Sequence, residues 1–329
     1  MFADIPFFVL KNKKAMYEIT QKKNGHPIAK PFLKWAGGKT QLLNSITCRL
    51  PQELERGKIT RYVEPFIGSG AVFFHIVKHY SVPELIILDG NEELILAYRT
   101  LKARCDAVVK TLRGIQTEYY QLPPEDQRAF YYKLRQNFNE SRDGVDFETD
   151  KPGQEAVKRT AQLVFLNRTC YNGLFRVNSK GAFNVPHGSY KNPVICDEDN
   201  LNAVSEVLQR ATILLGDFET CRELVHSRTF VYFDPPYRPL NKTSSFTSYA
   251  VKPFDDAEQV RLAKLYRSLH QTGAKLMLSN SDPHNENPED GFFDTLYASF
   301  NIHRVQASRM INSKPEGRGP ITELLITNY

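Results

Sequence analysis

The sequence predicts an α/β fold, a mostly parallel sheet with helices on both faces, interrupted by a helical insertion. Short apolar runs alternate with helix-length amphipathic stretches, the pattern of parallel strands buried on both sides. The middle of the chain breaks that alternation. The chain has 329 residues, 41% hydrophobic and 24% charged. That excludes a disordered polymer and suits two domains, or one large α/β domain carrying an insertion.

Residues 1–30 read as a basic N-terminal arm, with Lys11, Lys13, Lys14, Lys22 and Lys23 and an Asn24-Gly25 turn. Phe2–Leu10 is apolar but holds Asp4 and Pro6 and lacks a basic flank before it, so no signal peptide is expected. Residues 31–105 form the first part of the α/β domain, with strands at Arg61–Glu64 and Leu85–Asp89 and helices at Ala71–Tyr80 and Glu92–Ala107. Residues 106–195 are helix-like and charge-rich, then a loop of Asn, Gly, Arg and Tyr, which reads as the insertion. Residues 196–329 resume the sheet, with strands at Ile213–Leu215, Thr229–Phe233, Lys275–Ser279 and Leu324–Thr327 and a helix at Ala257–Gln271. The basic stretch Arg304–Arg318 reads as a solvated loop that could touch nucleic-acid phosphates.

No run approaches the ~20 consecutive apolar residues of a membrane span. The five cysteines are scattered without CxxC, which fits a reducing cytoplasm and neither a disulfide framework nor a zinc site. His75, His79, His187, His226 and His303 show no metal spacing and read as structural. A net charge of +6 permits a polyanionic partner without requiring one.

The chemistry concentrates in four places. Asp234-Pro235-Pro236-Tyr237 follows an apolar strand, at the carboxyl edge where open α/β sheets bind ligands. Two prolines remove two N–H groups and hold their carbonyls as rigid acceptors beside a carboxylate and an aromatic ring. That arrangement suits a planar ring bearing an exocyclic NH2: Asp234 and the Pro235 carbonyl each accept one hydrogen, and Tyr237 stacks. A capped strand-end turn is the plainer alternative. Glu64-Pro65-Phe66-Ile67-Gly68-Ser69-Gly70 joins strand to helix, with Gly68 and Gly70 allowing close backbone approach. The next strand ends at Asp89, where an acid meets ribose hydroxyls, and Asp217 ends a third strand near the expected adenine end. A nucleoside-containing cofactor follows.

Phe32–Thr40 contains Gly38-Lys39-Thr40, but Leu33 stands where a Walker motif needs glycine, so ATP binding of that kind is rejected. The segment also holds the single tryptophan, Trp35, between Lys34 and Lys39. Finally, Asn167–Pro193 interleaves Arg168, Arg176, Lys180 and Lys191 with Tyr171, Phe175, Phe183 and Tyr190. Such mixtures serve phosphate contact, base stacking and base-edge readout, and Arg176 could read guanine bidentately.

Taken in order, FLKWAGGK, EPFIGSG, the Asp89 strand, NRTCYNGLFRVNSKGAFNVPHGSYKNP, DPPY, PLNKTSSFTSY, SNSD and ELLITNY resemble the Dam-type DNA adenine-N6 methyltransferases, the α-group or D12 class. The resemblance runs from about Pro31 to Tyr329. It implies a Rossmann-like S-adenosylmethionine-dependent methyltransferase sheet with an inserted helical DNA-recognition domain. It implies S-adenosylmethionine held by Trp35, Ala36, Lys39, Phe66, Gly68, Gly70, Asp89, Asp217 and Asp234. Catalysis would fall to Asp234, Pro235, Pro236 and Tyr237. Lys34, Tyr171, Asn172, Leu174, Arg176, Pro186, Ser189 and Tyr190 would meet DNA, with Arg176 as guanine reader and Leu174 and Pro186 against a thymine methyl. Ser189 departs from the arginine of close bacterial members, which puts one contact of the expected GATC site in doubt. The expected reaction is methyl transfer to adenine N6 in double-stranded DNA by base flipping, with neither metal nor membrane. The expected state is a monomer, two copies being compatible with one DNA. A silent DNA-binding regulator and an RNA adenine-N6 methyltransferase are the alternatives.

Overall fold

The structure, a computed structural model, describes residues 28–35, 39–178, 180–238, 254–308 and 320–329. Ala36, residues 1–27 of the basic arm, the Pro239–Tyr249 stretch and residues 309–318 of the C-terminal basic stretch lie outside the described residues.

The strands are β1 (Arg61–Glu64), β2 (Glu84–Asp89), β3 (Ala211–Leu215), β4 (Thr229–Phe233), β5 (Lys275–Ser281), β6 (Asn301–Ser308) and β7 (Pro320–Thr327). They form one seven-stranded sheet in the order β3-β2-β1-β4-β5-β7-β6. The first five are parallel, and β7 runs antiparallel between β5 and β6. The chain leaves β1 toward β2 and β3, then returns to β4 on the other side of β1. The carboxyl ends of β1 and β4 therefore flank the topological switch point, where a crevice opens.

Helix α1 spans Ala71–His79, α2 Glu92–Gln121, α3 Pro124–Glu140, α4 Gln154–Thr169, α5 Glu198–Leu208 and α6 Asp256–His270. The near-continuous apolar strands are explained by cover on both faces. Tyr62, Ile87 and Tyr232 pack with α1, α2 and the insertion, whereas Val63, Ile86, Val231 and Phe233 pack with α6, Phe293 and Tyr297. Among the described residues no helix is long and apolar enough to cross a membrane.

Two elements differ from the sequence expectation. Residues 304–308, expected in a solvated loop, belong to β6, and Arg304 on it pairs with Asp282 at 3.1 Å and Asp294 at 2.8 Å. Alternation along β6 is broken by polar residues on both faces, so its pairing with β7 is the stronger signal. The helix expected to end near Ala107 continues to Gln121. Its backbone breaks at Arg104 (φ −142°, ψ 35°), so α2 is two helices meeting at a kink beside the expected 105/106 boundary.

The insertion is anchored to the sheet by buried ions. Arg159 on α4 is 3% exposed and donates through Nε to Glu93 Oε2 at 2.7 Å and through Nη1 to the Phe138 carbonyl at 2.8 Å. Arg142 reaches the same carboxylate at 2.7 Å and also pairs with Glu92. Removing one partner of a buried pair leaves the other uncompensated, which costs more than the intact pair contributes. Arg159→Met is therefore expected to lower stability by about 3 kcal/mol in urea unfolding. A loss below about 1 kcal/mol would show that Arg142 alone neutralises Glu93.

Candidate active site

Glu64 closes β1 and Asp234 follows β4, so the two loops richest in chemistry meet at the switch point. Between and beside them lies a cavity of about 1060 Å³. Trp35, Lys39, Phe66, Gly68, Asp89, Asp217, Asp234, Pro235, Pro236 and Tyr237, all expected from sequence, line it.

Asp234 is held from two sides. Lys39, 4% exposed, places Nζ 2.7 Å from Asp234 Oδ1, and Ser279 Oγ donates to that oxygen at 3.0 Å. Tyr232 backs Ser279 at 3.0 Å. Burial pushes the Asp234 carboxyl up, and the Lys39 charge opposes the shift. The Lys39 ammonium also lies 4.4 Å from the centroid of the Tyr237 ring. Pro235 is buried, Pro236 is exposed, and the Pro236 carbonyl accepts from Gln259 Nε2 at 3.1 Å. Among the described residues no hydrogen bond reaches the Pro235 carbonyl. Lys39 thus serves Asp234, not a phosphate loop. Glu64 is 2% exposed, accepts the Tyr62 hydroxyl at 2.6 Å, and is pushed well above the usual carboxylate range by burial.

The other lobe centres on Asp89. Its Oδ2 accepts Gly68 N at 3.1 Å and its Oδ1 accepts Asn91 N at 2.9 Å. Gly90 N also bonds this carboxyl, so of a carboxylate's about four acceptor sites about one remains open. Burial raises this carboxyl to about 6. Gly68 adopts φ +47° with Trp35 beside it, where a Cβ would come within 3.2 Å of the indole. Gly70 serves packing instead: at φ +74° its Cβ would meet the Tyr98 hydroxyl at 2.8 Å. Phe66 packs on Phe218 (5.4 Å between centroids) and edge-on to Phe254 (5.7 Å), giving an aromatic slot. Asp217 lies at this slot with both oxygens on the Arg261 guanidinium at 2.8 and 2.7 Å, and Oδ1 also accepts Glu219 N. The pairing holds its carboxyl below the usual range.

The expected DNA-facing residues gather on one loop system after α4. Asn167 clamps it, accepting Lys34 N at 2.7 Å and donating to the Lys34 and Gly173 carbonyls. Lys34 Nζ lies 4.2 Å from the Tyr190 ring centroid. Tyr171 is 55% exposed, and Asn172 beside it takes a left-handed φ of +56°. Tyr171 N donates to the Pro186 carbonyl, which ties the two arms of the loop. Arg176 and Asn184 face each other on a hairpin turned by Asn178, with Arg176 Nε donating to Asn184 Oδ1 at 2.7 Å. Leu174 is half-buried, while Pro186 and Ser189 are exposed.

Val177 and Gly181 of that hairpin reach the cavity wall beside Arg142, Glu92 and Glu93. Sequence reasoning missed this approach, along with Phe218, Phe254, Arg261, Ser279 and Glu323. The SNSD and ELLITNY segments were the available signals for Ser279 and Glu323; Phe218 follows Asp217 directly.

A mostly parallel sheet of this order places a buried carboxylate, Asp234, and a cavity of about 1060 Å³ at its switch point, and comparison with known proteins gives the class, the methyltransferases. Residues 35–311 match the D12 class N6 adenine-specific DNA methyltransferases, and the chain belongs to that family. It is 52% identical over 301 residues to the type II methyltransferase M.MjaIII of Methanocaldococcus jannaschii, covering 91% of this chain and 99% of that one. It is 39% identical to the type II methyltransferase M1.LlaDCHI of Lactococcus lactis subsp. cremoris, covering 91% and 95%. It is 32% identical to the DNA adenine methylase of Vibrio cholerae serotype O1, covering 89% and 94%. The protein is an adenine-specific DNA methyltransferase.

Removing the ammonium should expose the linkage at Asp234. Without Lys39 the folded-state carboxyl rises further above its ordinary 3.8, while the unfolded value stays there. The unfolded state then releases its proton first, so stability falls as pH climbs above 3.8. The unfolding midpoint of Lys39→Met should decline with pH more steeply than that of the parent protein; parallel curves would contradict the pairing.

Proposed function

We propose that the enzyme transfers a methyl group from S-adenosylmethionine to adenine N6 in double-stranded DNA, within GATC, on a base flipped out of the helix. The observation that carries this reading is the Asp234 carboxylate held by Lys39 and Ser279, next to the Pro235 carbonyl and the Tyr237 ring. S-adenosylmethionine supplies an electrophilic methyl on a sulfonium.

The residues present fit that donor. Asp89 retains acceptor capacity for a ribose hydroxyl, and Phe66, Phe218 and Phe254 offer a slot for a purine. Trp35 and Phe66 supply aromatic faces that suit a cation. Asp217 supports the slot through Arg261, since both its oxygens are committed there.

On the acceptor side, N6 is unreachable within a stacked duplex, so the target base leaves the helix at a cost of a few kcal/mol. Asp234 and the Pro235 carbonyl accept the two amino hydrogens. This returns electron density to a nitrogen whose lone pair is otherwise delocalised into the ring; N6 would gain the methyl and lose one proton to solvent, and S-adenosylhomocysteine would leave. Catalysis is positioning and electrostatics. Residues 106–195 act as the target-recognition insertion. Exposed Tyr171 enters the helix beside Asn172. Arg176, its Nε already on Asn184, presents its two terminal NH2 groups to guanine. Leu174 and Pro186 meet a thymine methyl, and Lys34, Ser189 and Tyr190 line the same surface. The enzyme works in the cytoplasm as a monomer.

Asp234→Ala should largely keep duplex-DNA binding and lose labelled-methyl transfer; an active variant would remove Asp234 from the chemistry. Arg176→Ala should relax discrimination at one guanine by about 1–3 kcal/mol, read as relative rates on singly altered sites. Unchanged ratios would contradict its role. Duplex RNA offered as acceptor should remain unmethylated.

Asp89 gives a pH signature. Its charged form accepts hydroxyls, so S-adenosylhomocysteine affinity should be level above pH 6 and fall about tenfold per unit below it. Asp89→Asn should bind weakly with a flat profile. A flat parent profile would contradict the assignment.

A further inference from the structure

We propose that Glu323 on β7 is a positioning residue that fixes the Tyr237 ring as the platform for the target base. The inference rests on the reading of the Asp234 loop given above. Tyr237 follows two prolines and ends its restrained segment, so its backbone is set while its ring can still turn about the side-chain bonds. Two contacts remove that freedom. The Lys39 ammonium lies over the ring at 4.4 Å from the centroid and occupies one face. The Tyr237 hydroxyl, at the far end of the ring, donates to Glu323 Oε2. A flat ring held by one face and by its tip presents its remaining face in a single orientation, toward the cavity that Tyr237 lines.

Glu323 is well placed to be a rigid anchor. It is paired with Ser281 of β5 on one side and with Val305 of β6 on the other, so its backbone is fixed by the sheet on both edges. Its charge also belongs to the cluster around Lys39, which attracts both Glu323 and Asp234. One ammonium thereby organises the carboxylate that receives the amine, the ring that receives the base and the anchor of that ring. Burial raises the Glu323 carboxyl, and either protonation state offers an oxygen to the tyrosine. The contact is therefore a hydrogen bond in the first place and an electrostatic one in the second.

Three variants separate these roles. Glu323→Ala removes the acceptor. Tyr237→Phe keeps the ring and removes the donor, leaving Glu323 in place. Glu323→Gln keeps an acceptor oxygen without the charge. Steady-state methylation of a GATC duplex is measured alongside the affinities for duplex and S-adenosylhomocysteine. Glu323→Ala and Tyr237→Phe should each lower kcat by about tenfold, the worth of one hydrogen bond expressed in the transition state, with both affinities within about twofold of the parent. The double variant should be no slower than either single one. Glu323→Gln should recover most of the rate. Tyr237→Phe makes the smallest structural change and decides the matter if Glu323→Ala fails to fold. Parent-like kcat in Tyr237→Phe, additive losses in the double variant, or Glu323→Gln as slow as Glu323→Ala would overturn the inference. A parent protein that does not methylate adenine would instead overturn the reading on which it rests.

Discussion

The site depends on one buried ammonium. Lys39 comes from the segment that precedes the first strand, yet it sits at the end of β4, 2.7 Å from Asp234 and over Tyr237. An ammonium taken out of water is costly unless anions and π-faces replace the lost hydration. Here Asp234, Glu323 and a tyrosine ring do so. The reverse also holds: without Lys39, the Asp234, Glu64 and Glu323 carboxyl groups would lose the cation that offsets their burial. Lys39 is thereby tied to the far side of the switch point, and its charge opposes the upward shift that burial imposes on the Asp234 carboxyl.

The same economy of placement governs the rest of the cavity. Strand order brings the ends of β1 and β4 together, and β2 and β3 add their acids in turn along the same edge. Asp89 closes β2, Asp217 follows the end of β3 by two residues, and the two acids make different contacts. Asp89 keeps acceptor capacity facing the cavity, and burial raises its carboxyl; Asp217 is spent on Arg261. The insertion does not stand apart from this edge. Buried Glu93, just past Asp89, ties to Arg159 and Arg142, and the hairpin bearing Arg176 reaches the same wall. The cavity and the hairpin thus share a wall.

Local signals made much of this legible. Runs such as Thr229–Phe233 are apolar at every position because both faces are covered, and the expected and observed strand coincide. The Asp-Pro-Pro-Tyr motif follows an apolar strand, so its place at the carboxyl edge of the sheet could be read from four letters. What escaped was set by distance in the chain. Lys39 and Asp234 are separated by 195 positions, and nothing local says that they meet. Glu323 looks like any polar residue of an edge-side strand until β7 is inserted beside β5. β6 was missed because its polar residues break the two-residue alternation, and only pairing with β7 makes it a strand. Helix α2 overran its expected end because amphipathic sequence continues past the kink at Arg104, where helix propensity gives no stop.

The most direct measurement is methylation of unmodified plasmid DNA by the purified enzyme with S-adenosylmethionine, followed by base-resolution mapping of the product. The account predicts N6-methyladenine at GATC on both strands and none with Asp234→Ala. Methyl groups on cytosine, on adenines outside GATC, or nowhere in the plasmid would contradict it.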